Sequence, residues 1–157
     1  MRPSHPFAES LCQGVYLQNQ NVLLPWGATR QSLKTLNVPY TERETADRWE
    51  LQWSDCRVMD GLELQLSATF FKAATYRDTI LRRVACNHLN DGSFDSAKAK
   101  YDEMLAHISA LFGQPTEKSE DAATWICCEG ESAVNLFIWE RHGWFCAISF
   151  SKEPYAP

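Results

Sequence analysis

The stretch LELQLSATFF, residues 62–71, puts Leu62, Leu64, Leu66, Ala68 and Phe70 on one face and Glu63, Gln65, Ser67 and Thr69 on the other. A strict period of two marks a β-strand with one side on a core and the other in water. Asp60-Gly61, just before it, is a strong hairpin signal. The preceding RWELQWSDCRVM (48–59) alternates Trp49, Leu51 and Trp53 against polar neighbours, so the two runs read as an antiparallel pair.

Upstream, VYLQNQNVLL (15–24) has strand composition, with a turn expected at Asn19-Gln20-Asn21. Pro25 and Gly27 end the run, and Thr29 is a good N-cap for a short helix, RQSLKTL, stopped by Asn37 and Pro39. YTERETAD (40–47) is expected as a polar connection. Downstream, DTILRRVAC (78–86) reads as a third strand or a short helix. Then AKAKYDEMLAHISALF carries Ala97, Tyr101, Met104, Leu105, Ile108, Leu111 and Phe112 as a helical stripe, ended by Gly113 and Pro115. TEKSEDAA is polar, and the following TWICCEGESAVNLFIWERHGWFCAISF reads as three strands with turns near Gly130 and Gly143. The expectation is one α+β domain over 1–157, with loosely ordered ends at 1–14 and 152–157. Its antiparallel sheet would have about six strands, with two main helices on one face.

A faint internal repeat suggests two helix–β–β–β units. Pro39 and Pro115 each follow a helix, Trp49 and Trp125 each open a strand, and Glu44/Glu120 and Ala46/Ala122 keep the same offset of 76.

Composition narrows the function classes. Apolar content is 45% and charged content 22%, ordinary values for a domain with a real core. The net charge of −5 argues against nucleic-acid binding, because the fifteen Lys and Arg are scattered among twenty acids. The start MRPSHPFAESLCQG lacks the apolar stretch of a signal peptide, and no run approaches a membrane span, so a cytoplasmic protein is expected. The six cysteines, Cys12, Cys56, Cys86, Cys127, Cys128 and Cys146, then read as buried thiols.

No constellation for catalysis, cofactor or metal emerges. Cys-x-x-Cys, His-Glu-x-x-His, Gly-x-Ser-x-Gly and phosphate-binding glycine loops are all missing. Cys86/His88 and His142/Cys146 each supply only two ligands, where structural zinc takes four. Surfaces remain. If Val134, Leu136 and Ile138 face the core, Phe137 and Trp139 face away from it, either covered by another element or presented for recognition. The acids Glu117, Glu120, Asp121, Glu129 and Glu131, with Trp139, Glu140 and Arg141, are the candidate partner-binding residues.

The order strand, LPWGAT, short helix, LNVP, three strands, a second helix ending LFGQP, and three more strands resembles small bacterial immunity proteins over roughly residues 20–150. Asn37 stands where a glycine is expected at the first helix end. The resemblance implies a non-enzymatic, cytoplasmic inhibitor of a cognate toxin domain, basic and often a nuclease, held by an acidic surface. Two other readings stay open. One is a small ligand-binding or thiol-dependent enzyme domain, with Cys86 and His88 near a pocket mouth. The other is an adaptor or chaperone that docks an effector without inhibiting it.

Overall fold

The computed structural model describes residues 6–72 and 79–152. Its fold is α+β. A small hairpin, β1 (Gly14–Leu17) and β2 (Val22–Pro25), stands apart from one eight-stranded antiparallel sheet. That sheet holds β3 (Thr41–Glu44), β4 (Arg48–Val58), β5 (Leu62–Phe71), β6 (Arg83–Cys86), β7 (Glu117–Lys118), β8 (Ala122–Cys127), β9 (Ser132–Glu140) and β10 (Trp144–Lys152). Their spatial order is β3-β4-β5-β6-β10-β9-β8-β7. The helices are α1 (Pro6–Ser10), α2 (Arg30–Lys34) and α3 (Phe94–Phe112).

The β4–β5 pair forms as its alternation requires, with Leu51, Trp53, Leu64, Leu66, Ala68 and Phe70 all buried. A bulge follows Trp53, with Asp55 at φ 55°, so that Cys56 returns to the buried face only three positions later. Thr29 caps α2 by accepting from the Ser32 N–H at 3.2 Å, as the sequence indicates. Ser93 does the same for α3 toward the Ser96 N–H at 3.1 Å. The α3 stripe of Ala97, Tyr101, Met104 and Ile108 lies on Val134, Leu136, Ile148 and Phe150 of β9 and β10. Helix α2 covers the same face at the other end of the sheet, where Arg30 and Lys34 both reach Glu42 of β3.

Two strands exceed the expected sheet. Residues 41–44 and 117–118 are edge strands in stretches expected as polar connections. Every residue in them is exposed, so no apolar alternation advertises them. Charged residues on such edges also discourage further strand pairing. Residues 6–14 are also better ordered than expected of a loose end. Phe7 and Leu11 are buried, with the Phe7 ring 5.5 Å from that of Phe150. At the far end Lys152 pairs with Ser132 inside β10, and the expectation for 153–157 lies outside the described residues. Of the expected strand at 78–86, β6 takes Arg83–Cys86, and Ile80 makes an isolated bridge to Thr29.

The sheet has two similar halves, β3–β6 and β7–β10, joined along β6 and β10. The β3–β4 and β7–β8 turns match bond for bond. Thr45 N–H donates to Arg48 O at 2.9 Å, and Ser119 N–H to Ala122 O at 2.8 Å. The Thr45 hydroxyl donates to Asp47, and the Ser119 hydroxyl to Asp121. The next turns match in backbone, with φ of 48°, 64° and 92° at Met59, Asp60 and Gly61 and of 56°, 56° and 91° at Cys128, Glu129 and Gly130. These equivalences run at offsets of 74 (Thr45 to Ser119) and 69 (Met59 to Cys128), not 76. The Trp49–Trp125 match is therefore a coincidence of spacing. Trp49 is half-buried beneath the Arg30 guanidinium at the sheet edge, whereas Trp125 is buried and donates to Gly113 O.

Two cysteines differ from expectation. Cys12 and Cys128 form a disulfide, with their Cα atoms 5.5 Å apart. Cys56, Cys86 and Cys146 are buried thiols, and Cys127 is half-buried.

Candidate protein-binding face

All three helices pack on one face of the large sheet, and among the described residues no helix covers the other. One rung of that helix-free face crosses every strand, but its middle is closed to solvent: Ala85 and Ser149 in the row, and Ala147 and Ser151 beside it, are buried. The register joins Thr41, Gln52, Ser67, Ala85, Ser149, Asn135, Thr124 and Glu117 in a single row from edge to edge. Seven of these eight side chains are polar, and only Glu117 is charged. Asn135 organises the second half of the row. Its amide lies 3.4 Å from both Ser149 Oγ and Ser151 Oγ, and its Oδ1 accepts from the Thr124 hydroxyl at 3.1 Å. In the first half, Gln65 donates to Gln52, which donates to Glu50. These bonds satisfy the polar groups of the row within the sheet, and only Thr41 and Glu117, at its two ends, are exposed.

Toward the β9–β10 turn the helix-free face becomes aromatic. Phe137 and Trp139 do face away from the core, half-buried, as the alternation of β9 demands. Trp139 and Phe145 lie 5.7 Å apart, and His88 stands edge-on to both at 5.4 and 4.4 Å. The Trp139 indole donates to Asn87 O at 2.9 Å, which fixes the ring. Around the end of the sheet, Phe94 and Trp144 meet edge-to-face at 5.1 Å and remain 50% and 37% exposed. These two rings belong to the few large hydrophobic side chains left exposed among the described residues.

The frame comes from a substitution of side chain for strand. Strand β6 stops at Cys86, leaving the outer edge of β10 without a partner. Leu89 N–H donates to Cys146 O at 3.0 Å, and Cys146 N–H donates to Asn90 Oδ1 at 2.7 Å, continuing the ladder with a loop. The Asn90 amide then reaches Ser96 Oγ at 2.8 Å and Trp144 O at 2.9 Å, tying the turn to the start of α3. Gly143 sits at φ 147°, and a Cβ there would come within 3.1 Å of the Phe145 ring and 3.2 Å of Gly92 O. Only glycine lets the turn lie this close.

The candidate residues from the sequence separate into two groups. Glu120 and Asp121, in the β7–β8 turn, lie at the same end of the sheet as Trp139, Glu140 and Arg141, because Ile138 N–H donates to Asp121 O at 2.9 Å. Glu117 stands at the edge of the polar row. Glu129 and Glu131 lie at the opposite end of β9, about 27 Å away at strand rise, and Glu131 pairs with Lys152 at 3.0 Å. Sequence reasoning missed Phe94, Trp144 and Asn90. Phe94 reads as one aromatic in a helix opening, and its value comes from Trp144, fifty residues later. The helix-free face is mixed in charge outside its buried middle, with Arg43 opposite Glu50 and Arg83 opposite Ser151. Acidic residues gather at the end of the sheet, where Asp91 and Asp95 of the α3 opening add to Glu120, Asp121 and Glu140, with Lys98 and Arg141 among them.

Cys86 and His88 do not frame a pocket mouth. Cys86 is buried in the core and His88 is exposed against the aromatic cluster. Burial pushes the Cys86 and Cys127 thiols up, Cys56 up to about 11 and Cys146 up to about 12, the opposite of nucleophile activation. Among the described residues no group of three or more His, Cys, Asp or Glu could hold a metal ion. Nor is any helix among them long and apolar enough to cross a membrane. A cavity of about 650 Å³ lies away from the helix-free face, between α1, the C-terminal turn of α3 and β8. No known protein family matches the sequence, and neither curated proteins nor solved structures yield a match.

Proposed function

We propose that this chain is an immunity-type inhibitor, which binds a cognate toxin domain through the aromatic, acidic end of its large sheet. The observation that carries this reading is the exposed Phe94–Trp144 pair beside the Trp139–Phe145–His88 cluster at one end of the sheet. Buried aromatic anchors within a polar surround are the usual source of interface affinity. The cluster of Glu120, Asp121 and Glu140 suits a basic partner and would speed its encounter. Glu129 and Glu131, at the other end of the sheet, are not part of this proposed interface. Resemblance to immunity proteins supplies the toxin as the partner class, and raised thiols weigh against the thiol-enzyme alternative.

The test is co-expression with the product of the neighbouring toxin gene, followed by pull-down and a cell-killing assay. Rescue together with capture supports the reading. Trp139→Ala and Trp144→Ala should each weaken capture at least tenfold while leaving the circular dichroism spectrum unchanged, as hot-spot aromatics do. Capture without rescue would favour the adaptor reading, and absence of both would sink the proposal.

A further inference from the structure

The Cys12–Cys128 disulfide differs from the four remaining cysteines in kind. It joins the turn after α1 to the β8–β9 turn across 116 residues of sequence. Cys12 is exposed and Cys128 half-buried, whereas Cys56, Cys86 and Cys146 are sealed in the core. Non-covalent contacts already hold the two sulfurs together. Phe7 packs between Phe112 and Phe150, and Leu11 O accepts from both Ser132 Oγ at 2.9 Å and Trp26 Nε1 at 2.7 Å. Folding therefore presents one preformed dithiol at the surface, which an oxidant can reach without disturbing the core. Cys12, Cys127 and Cys128 also line the cavity of about 650 Å³, whose α1 wall is the segment that the disulfide ties down.

We propose that the chain works in its oxidised form, in an oxidising compartment, and that Cys12–Cys128 is a reductant-accessible latch holding α1 over this cavity. The latch closes by exchange with a disulfide-bearing oxidant, either a thiol–disulfide oxidoreductase or a small-molecule disulfide. One protein thiolate attacks the oxidant's S–S bond to give a mixed disulfide. That attack frees the oxidant's other sulfur as a thiol. The second protein thiolate then displaces the first sulfur from the mixed disulfide, so that the oxidant leaves as two thiol groups carrying the two electrons and two protons. Reduction by a dithiol reverses both steps and leaves α1 held to the β8–β9 turn by non-covalent contacts alone, so that it opens more often. Cys56, Cys86 and Cys146 stay out of the exchange because the core seals them from the oxidant. This inference does not rest on toxin binding. It stands against the cytoplasmic expectation, from which the reading of six buried thiols followed.

The test begins with the full chain taken from its own cells under acid quench, denatured, and alkylated without reductant. Mass spectrometry should count four alkylated cysteines, rising to six after reduction, and six at the outset would overturn the proposal. Next, dithiothreitol is added to the folded chain. Amide exchange over 7–11 should rise roughly tenfold while β9 and β10 keep their protection, as expected for local opening. A Cys12→Ser/Cys128→Ser chain should show the raised exchange without reductant and no response to it. Unchanged exchange at 7–11 in both experiments would refute the latch, whatever the outcome of the toxin assays.

Discussion

Replacing Asn90 by Ala should cost about 3 kcal/mol, because one side chain stands in for a missing strand at the edge of β10. The substitution removes the acceptor of the Cys146 N–H bond at 2.7 Å and the donor to Ser96 Oγ and Trp144 O at 2.8 and 2.9 Å. Cys146 is fully buried, so its orphaned N–H cannot turn to water and costs about 1–3 kcal/mol. The two other acceptors are more open, and their lost bonds add about 0.5 kcal/mol each. For a domain of this size the total lowers the thermal midpoint by about 6–12 °C. Urea unfolding followed by tryptophan emission measures the loss, with an unchanged m-value showing that the denatured state is unaffected. Asn90→Asp is the informative companion, since it keeps the acceptor for Cys146 N–H and loses only the donors. Its cost should be clearly smaller than that of Asn90→Ala. The account of the ladder fails if Asn90→Ala costs less than about 1 kcal/mol, or if the aspartate is as harmful as the alanine.

Tyr101 is buried with no hydrogen-bond partner for its hydroxyl among the described residues, so Tyr101→Phe should leave stability unchanged or raise it by up to about 1 kcal/mol in the same assay. Native protein at pH 8 should react with a chromogenic disulfide reagent at less than one thiol per chain, and at four once denatured without reductant, because burial holds the four free thiols above their ordinary range. Fast labelling of one cysteine would instead support a thiol enzyme. Burial alone would raise the Glu42 carboxyl, but hydrogen bonds from Arg30 and Lys34, with their charges, hold it below its ordinary 4.5. A depressed folded value adds stability above the unfolded one, and that stability is lost as pH falls below 4.5. Urea midpoints measured between pH 6 and 3 should therefore drop less steeply for Glu42→Gln than for the parent, and parallel curves would contradict the assignment.

The strands that bury one face were legible because alternation records burial locally. LELQLSATFF and the Trp49–Trp53 run needed no knowledge of their neighbours, and neither did Thr29 as a cap or Asp60-Gly61 as a turn. Edge strands 41–44 and 117–118 were not legible. They bury nothing, and only pairing with β4 and β8 makes them strands. Helix α1 was masked by its short length, and its order comes from Phe7 and Leu11 finding partners more than a hundred residues away. The repeat was visible as a tendency, but its offset was set by turn geometry and by the bulge near Asp55, neither of which spacing between tryptophans can report.

For the site, the sequence supplied the ingredients without their arrangement. It determined that Phe137 and Trp139 share a face opposite to Val134, Leu136 and Ile138, since a strand has a period of two, while the structure decided which face meets the core. Tertiary structure alone decided that Glu120 and Asp121 join them while Glu129 and Glu131 sit at the other end. It alone aligned seven polar side chains from different strands into one row, and brought Cys12 to Cys128. Local pattern follows from the chemistry of neighbouring residues. Strand order, register and cross-links depend on which distant surfaces bury the most together, and that is a property of the whole folded chain.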